Sequence, residues 1–599
     1  MRRDGEIEIE DAATAEGLPV APAAAAALQV ARVPLERSLI DKRVVILCAW
    51  SILLALATGF VAQALVRLIG LITNLSFYGR LSFDFVSPAG NRLGWLVVVV
   101  PVIGGIVVGL MARYGSKAIR GHGIPEAMEQ VLLNESRIPA RVTFLKPVSA
   151  AVSIGTGGPF GAEGPIIATG GALGSLLGQV FKTTATERKT LLAAGAAAGM
   201  AATFGSPVSA VLLAIELLLF EFRPRSLIPV ALASATATAV RMAYAGTAPI
   251  FAMSAITRPG GEALAAYTII GALVGYLSVY VTRAVYWIED LFEHLPIHWM
   301  WWPAIGGIAV GVAGYFAPHT LGVGYDNIEG LVAGRIVGKA VLFLCAMKFL
   351  SWSISLGSGT SGGTLAPLFT IGGGCGVALG ELAKLSFPHF GIDPRICALV
   401  GMAAMFAGAS RALLASVVFA FETTLQPLGL LPLLGGCTAG YLVSALLMRN
   451  TIMTEKLARR GVRVPSEYAA DFLDTITVAD ACTRDVVTIR EEQTVAELHD
   501  LVATHQGFPV VDADGNLTGV VTRRDFLDRP PTTPVRDLIR RPPSVVFLDM
   551  SLRDAADHMV RENVGRLPVV ERSNPKKLAG IITRSDLLSA HARRLDEEA

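Results

Sequence analysis

From about residue 44 to residue 450 apolar positions run almost without a break. After about residue 460 they shrink to groups of four or five between frequent charges. The runs Val44 to Ile72, Trp95 to Met111, Ala263 to Ile288 and Pro427 to Met448 carry few or no charges. Each is close to or beyond the ~20 residues that cross a bilayer as a helix. Gly and Pro interrupt the apolar stretch repeatedly, and pieces such as Pro147 to Ile154 and Ala412 to Thr424 are too short to span. Broken helices survive at membrane depth only where they are buried in protein or line a wet cavity. The expected fold is therefore an all-α polytopic membrane protein with broken, re-entrant helices, a pattern of channels and transporters.

Composition agrees. Mean hydropathy is +0.54, and charged residues make up 17 % of the chain against roughly 25 % in soluble domains. The net charge of +2 says nothing about a nucleic-acid partner, and no basic cluster suggests one, so none is expected. None of the six cysteines is paired at metal-ligand spacing, and five lie in apolar runs. They read as buried free thiols, with no metal site. Residues 1–36 lack the basic start and apolar middle of a cleavable signal peptide and read as a disordered tail. Arg32, Arg37, Lys42 and Arg43 precede the first apolar run and predict a cytoplasmic N-terminus.

Gly155-Thr-Gly-Gly-Pro-Phe-Gly-Ala-Glu-Gly-Pro165 is a glycine-rich turn feeding an apolar helix. The free N–H groups and positive dipole end at such a helix start make a natural anion seat. Glu163 places a carboxylate where an anion would bind. An ionisable side chain inside a membrane points to function, whereas at a soluble helix end it would read as a cap. The turn has a copy. Gly155 to Gly178 aligns without gaps on Gly357 to Gly380, and Gly199 to Phe204 aligns on Gly401 to Phe406 at the same offset of 202. The copy keeps the glycines and the proline but has Leu365 in place of Glu163. Repeats with discontinuous helices put a binding site near the midplane, with half-helix N-termini facing an anion.

A second repeat follows. Phe508 to Asp512 with Gly519 to Asp525 matches Leu567 to Glu571 with Gly580 to Asp586. Each unit reads as strand, turn, strand and a helix starting near the Asp, which predicts a cytoplasmic α/β pair.

Four ordered stretches resemble the CLC family of chloride channels and proton/chloride exchangers. Gly121-His122-Gly123-Ile124-Pro125 resembles the first anion-binding motif. Gly161-Ala162-Glu163-Gly164-Pro165 resembles the second, with Glu163 as gate. Gly363-Thr364-Leu365-Ala-Pro367 resembles the third. The stretch from Asn450 through Met453 is similar to the last membrane segment, where a tyrosine normally reaches the anion. The resemblance implies a homodimer in membrane lipid, an anion pathway in each subunit, and amides of Gly161 to Glu163, Thr364 and Leu365 as donors. Lys146 matches a basic position that raises the pathway's potential, or else is an interfacial anchor. The C-terminal pair resembles CBS domains, which implies Thr522, Asp525, Thr583 and Asp586 around an adenine nucleotide, or else a platform without ligand. The implied domains are a tail (1–36), the transport domain (37–460), a linker (461–473), CBS 1 (474–529), CBS 2 (535–590) and a tail (591–599).

His122 stands where serine is common, Ala162 where arginine is usual, and Met453 at the tyrosine place. Leu217 falls where exchangers of the family carry an internal glutamate. Glu216, one residue earlier, either belongs to a proton path or only caps within the protein. The first three departures bear on selectivity among small anions, whereas Leu217 leans the reading toward a gated passive anion (chloride) channel, with an anion/proton antiporter as the alternative and a CBS-regulated cation transporter as a remote one. The apolar segments hold no nucleophile–base set, so no enzyme activity and no required cofactor are expected.

Overall fold

The computed structural model describes residues 40, 42–462, 464, 473 and 476–597. The N-terminal tail, most of the 461–473 linker and the last two residues lie outside them. The chain divides into two compact units, one of residues 40–468 and one containing residues 469–599.

The larger unit is helical. Its first half runs α1 (Lys42–Tyr78), α2 (Val99–Tyr114), α3 (Ile124–Leu133), α4 (Ala140–Gly155), α5 (Glu163–Val180), α6 (Ala185–Phe204), α7 (Pro207–Ala214) and α8 (Pro224–Ala245). Its second half runs α9 (Gly261–Glu293), α10 (Trp302–Phe316), α11 (Tyr325–Val332), α12 (Lys339–Gly357), α13 (Leu365–Ser386), α14 (Pro394–Ser410), α15 (Leu413–Thr424), α16 (Leu430–Leu447) and α17 (Glu455–Arg459). Among the described residues, seven helices are long and apolar enough to cross a membrane. The four uninterrupted apolar runs all fall on such helices. Pro147 to Ile154 is not a separate piece, because Pro147 sits inside α4 and the helix continues around it. At 12 residues, α15 is too short to span alone.

Helix contacts here are made by small residues. A Cβ on Gly170 would lie 2.1 Å from the Gly195 carbonyl, and one on Gly195 would lie 2.0 Å from that of Gly170. The repeat copy does the same, with Gly372 2.5 Å from the Gly401 carbonyl. Between lipid-compatible helices no hydrophobic gain is available from association, so close backbone approach supplies the packing. α5 against α6 and α13 against α14 are therefore equivalent helix pairs in the two repeats.

The smaller unit holds two three-stranded sheets. In the first, β1 (Ile489–Arg490) pairs parallel with β2 (Gly507–Val511), which pairs antiparallel with β3 (Leu517–Thr522). In the second, β4 (Val546–Phe547), β5 (Arg566–Glu571) and β6 (Asn574–Thr583) repeat that order. Each sheet has its own apolar core, one around Phe508 and Val521 and one around Val569 and Ile582. After β6 the helix α18 (Arg584–Glu597) begins as expected. After β3 the chain makes only a short 3-10 turn, Arg523–Phe526. All six cysteines are free thiols, three of them buried.

Candidate functional site

Three glycine turns are laced together by backbone hydrogen bonds. Gly121 N donates to Thr360 O at 3.3 Å, and Gly362 N returns to Gly121 O at 3.4 Å. Gly161 N donates to Gly363 O at 3.3 Å, and Gly363 N to Gly161 O at 2.9 Å. The last pair is an antiparallel bridge. It joins the two repeat copies head to head, so α5 and α13 start at one place with their N-termini facing. Glycine is required at the junction. A Cβ on Gly164 would lie 2.1 Å from His122 O and 3.0 Å from Gly363 Cα, so the three motifs touch there.

This lacing changes the donor set. The N–H of Gly161 is spent on the bridge and does not face an anion, which corrects one of the expected donors. Ala162, Glu163, Thr364 and Leu365 stand at the starts of α5 and α13, where helical N–H groups have no partner within the helix. In the first turn Gly121 and Gly123 adopt φ of +89° and +97°, which glycine tolerates without strain. The N–H of Gly123 donates to Glu126 Oε2 at 2.7 Å. The first helix start is thus partly closed by a carboxylate that the motif reading missed. Glu126 also pairs with Lys456 at 2.8 Å.

Glu163 is the first residue of α5 and is 1 % exposed. Its carboxylate folds back over the seat. A Cβ on Gly161 would lie 1.6 Å from Glu163 Oε2, and one on Gly363 would lie 3.0 Å from it. Oε1 accepts the Tyr325 hydroxyl at 2.9 Å, while Oε2 has no hydrogen-bond partner among the described residues. The carboxylate lies where the N-termini of α5 and α13 converge, with Pro165 in the first turn of α5 and Pro367 in that of α13.

His122 is buried, its Nδ1 unpartnered and its ring facing the Ile452 backbone. Ile124 and Pro125 open α3. Met453 is buried directly after Ile452, whose carbonyl accepts the Tyr286 hydroxyl at 2.8 Å. Lys146, 1 % exposed, donates to the carbonyls of Ile119 and Gly121, both at 2.8 Å. It holds the first turn in shape from inside the protein, and the interfacial-anchor reading does not fit that burial.

Glu216 lies in a π-helical turn, Ile215–Leu219, that follows α7. Its carboxylate accepts from the N–H groups of Leu414 and Ala415, each at 3.0 Å, and so caps α15. Glu422, on α15, accepts from Val208 and Ser209 at 3.0 and 2.9 Å and so caps α7. Donors and acceptors are related by one offset of 206 residues, a reciprocal exchange between the repeats. Glu216 and Leu217 also line a cavity of about 1160 Å³ together with Arg411, Arg449 and Asn450. Removing a helix cap costs ~0.5–2 kcal/mol. Glu216→Ala and Glu422→Ala are therefore expected to lower thermal stability in detergent by similar amounts, measured by tryptophan fluorescence. A loss confined to one of them would contradict the exchange.

In the smaller unit, Asp525 Oδ2 accepts from Thr522 N and Oγ1 at 2.9 and 2.7 Å, and Arg540 lies 3.3 Å from Oδ1. Asp586 Oδ2 accepts from Thr583 N and Oγ1, both at 2.7 Å. Each Thr–Asp pair closes its own turn. No cluster of metal-ligating side chains occurs among the described residues.

Sequence reasoning missed Tyr325, Lys348 and Glu126; Glu422 stood out with Glu216 as one of few acidic residues on the apolar runs, but its cap on α7 was not foreseen. The signal for the first two was present: Lys348 is the copy of Lys146 at offset 202, and Gly322-Val-Gly-Tyr325 copies Gly121-His-Gly-Ile124 at 201.

Apolar spanning helices and two repeat copies whose helices α5 and α13 meet head to head, with free N–H groups at both helix starts, are features of a membrane transport protein. The chain matches the family described as "Voltage gated chloride channel" over residues 103–445 and the CBS domain over residues 478–531 and 535–593. It belongs to the CLC family of chloride channels and exchangers and carries a CBS pair. It is 28 % identical over 428 residues to the H(+)/Cl(-) exchange transporter ClcA of Salmonella arizonae, covering 69 % of this chain and 88 % of that protein. It is 26 % identical over 369 residues to a putative chloride channel protein, ClcB-like, of Ralstonia nicotianae, covering 61 % and 86 %. Its fold is similar to that of a slow cyanobacterial Cl-/H+ antiporter, with TM-score 0.63 at 24 % identity, covering 70 % of this chain and 98 % of that one.

Proposed function

We propose that this CLC protein exchanges chloride or a similar small anion for protons, with Glu163 as the gate. The observation that carries the reading is the Glu163 carboxylate folded over Gly161 and Gly363, on the seat that an anion would take. An ionised carboxylate there excludes the anion, and a protonated one gives up the seat, so anion access and proton binding become linked. The antiporter reading replaces the channel preference drawn from the sequence, because relatives along most of the chain are named as exchangers.

One observation favours the passive channel: Leu217 offers no carboxylate, and that of Glu216 is committed to the N-terminus of α15. In the antiporter, protons then reach Glu163 through water in the cavity lined by Glu216 and Leu217. Chloride and pH electrodes on the same proteoliposome suspension separate the two. The expected result is steady uphill proton movement driven by a chloride gradient; chloride flux with no proton movement would establish the channel instead.

The protein is further proposed to be a homodimer, with its N-terminus and CBS pair in the cytoplasm and basic residues ahead of α1 setting the orientation. Adenine nucleotide is the proposed ligand class of the CBS pair. The Thr583–Asp586 turn is the better candidate, since Arg540 already lies against the Asp525 carboxylate.

A further inference from the structure

The first anion-motif turn has a structural copy that carries none of its assigned chemistry. Gly322 and Gly324 adopt φ of +68° and +77°, as Gly121 and Gly123 adopt positive φ in the first turn. Lys348, fully buried, donates to Thr320 O and Gly322 O at 3.0 and 3.3 Å, as Lys146 does to Ile119 O and Gly121 O. Each turn starts a short helix, α3 in one case and α11 in the other. The scaffold is duplicated, but the residue opening the helix is not. Ile124 is aliphatic, whereas Tyr325 carries a hydroxyl, and that hydroxyl meets Glu163 Oε1.

Tyr325 is well held. Its ring centroid lies 5.8 Å from Phe204, 6.0 Å from Phe251 and 6.5 Å from Phe85. Such aromatic pairs fix ring position beyond the area they bury. The same ring lines a cavity of about 200 Å³ together with Asp326, Ser87 and Thr73. Tyr325 thus stands between that cavity and the gate. The charged groups facing Glu163 are few: Lys348 from α12, with Asp326 beside it on α11.

We propose that Tyr325 is a positioning residue that latches the gate, its phenol hydroxyl holding the Glu163 carboxylate on the anion seat. A hydroxyl donated to an ionised carboxylate is stronger than one shared with a neutral carboxyl. The latch therefore favours the ionised, seat-occupying gate and weakens when Glu163 takes a proton. It makes release of the gate more steeply dependent on proton binding than packing alone would. This inference rests on Glu163 being the gate.

Tyr325→Phe keeps the ring and removes only the hydroxyl. In proteoliposomes at neutral pH it is expected to raise chloride efflux roughly tenfold and to move half-maximal flux up by about one pH unit. Tyr325→Leu, which also loses the aromatic packing, controls for structure, with folding checked by size-exclusion chromatography. Both readouts are repeated in a Glu163→Gln background, where Tyr325→Phe is expected to have no further effect. An unchanged pH profile for Tyr325→Phe, alongside a changed one for Glu163→Gln, overturns the latch and leaves the gate standing. Equal effects of Phe and Leu on flux, with no shift in the profile, also overturn it, because packing alone would then explain both. Wild-type behaviour of Glu163→Gln itself removes the gate and the latch together.

Discussion

Glu163→Gln is expected to abolish chloride-driven proton movement and leave anion flux independent of pH. Glutamine has nearly the same shape as glutamate, so α5 should still start where it does. It carries no charge, however, and has no carboxyl proton to deliver. The wild-type carboxylate rests over Gly161 and Gly363, at the convergence of two helix starts. An ionised carboxylate is held there by the positive ends of two helix dipoles and by a charge-assisted bond from the Tyr325 hydroxyl, roughly twice as strong as a neutral one. The amide is therefore a weaker competitor for the seat, and the anion gains access at every pH. The measurement is paired chloride and pH recording from proteoliposomes, comparing the variant with wild type across the pH range. Retained proton coupling in the variant would show that another group carries the proton.

A second large effect is expected from one methyl group. Gly164→Ala should abolish anion flux and lower thermal stability by ~1–3 kcal/mol. The new Cβ would sit 2.1 Å from His122 O on one side and 3.0 Å from Gly363 Cα on the other. Both neighbours are backbone, so neither can rotate away, and the turns that form the seat must move apart. Gly260→Ala is the control. Gly260 precedes α9 with φ of −77° and has nothing within 4 Å of an added Cβ. A change there is expected within ±0.5 kcal/mol and without effect on flux. Equal behaviour of the two variants would mean that the junction is looser than its distances indicate.

The membrane unit was legible because its signals are long and redundant. Uninterrupted apolar runs predicted four spanning helices, and a gapless offset of 202 exposed the repeat. What stayed hidden lies where the two copies drift out of register. The second copy of the first motif comes at offset 201 and shares only its glycines, so Tyr325 did not read as a relative of Ile124. Further on, α14 runs to Ser410, four residues beyond the place matching Phe204, where α6 ends. Four residues are about one helical turn. That turn moves the following helix to offset 206, at which Glu216 and Glu422 become equivalent. A comparison held at 202 pairs Glu216 with Val418 and misses the exchange. Glu126 was hidden for a different reason. It lies one residue beyond the glycine motif and closes back on Gly123, a contact that depends on the positive φ of Gly123 rather than on any pattern of residue types.

The head-to-head bridge carries the rest. Gly161 and Gly363 share two hydrogen bonds, which places Glu163 and Leu365 at facing helix starts. One copy brings a carboxylate to the seat and the other an aliphatic side chain. The repeat thus brings two equivalent helix starts together, the place proposed for the anion, and Glu163 makes the pair asymmetric. On this account Glu163 and the anion are rivals for one position.

Titration calorimetry of chloride into purified wild type and Glu163→Gln at neutral pH tests that rivalry most directly. Chloride affinity is expected to be roughly tenfold higher in the variant, with wild-type affinity rising toward the variant's as pH falls. Equal affinities in the two proteins, unchanged by pH, would contradict it.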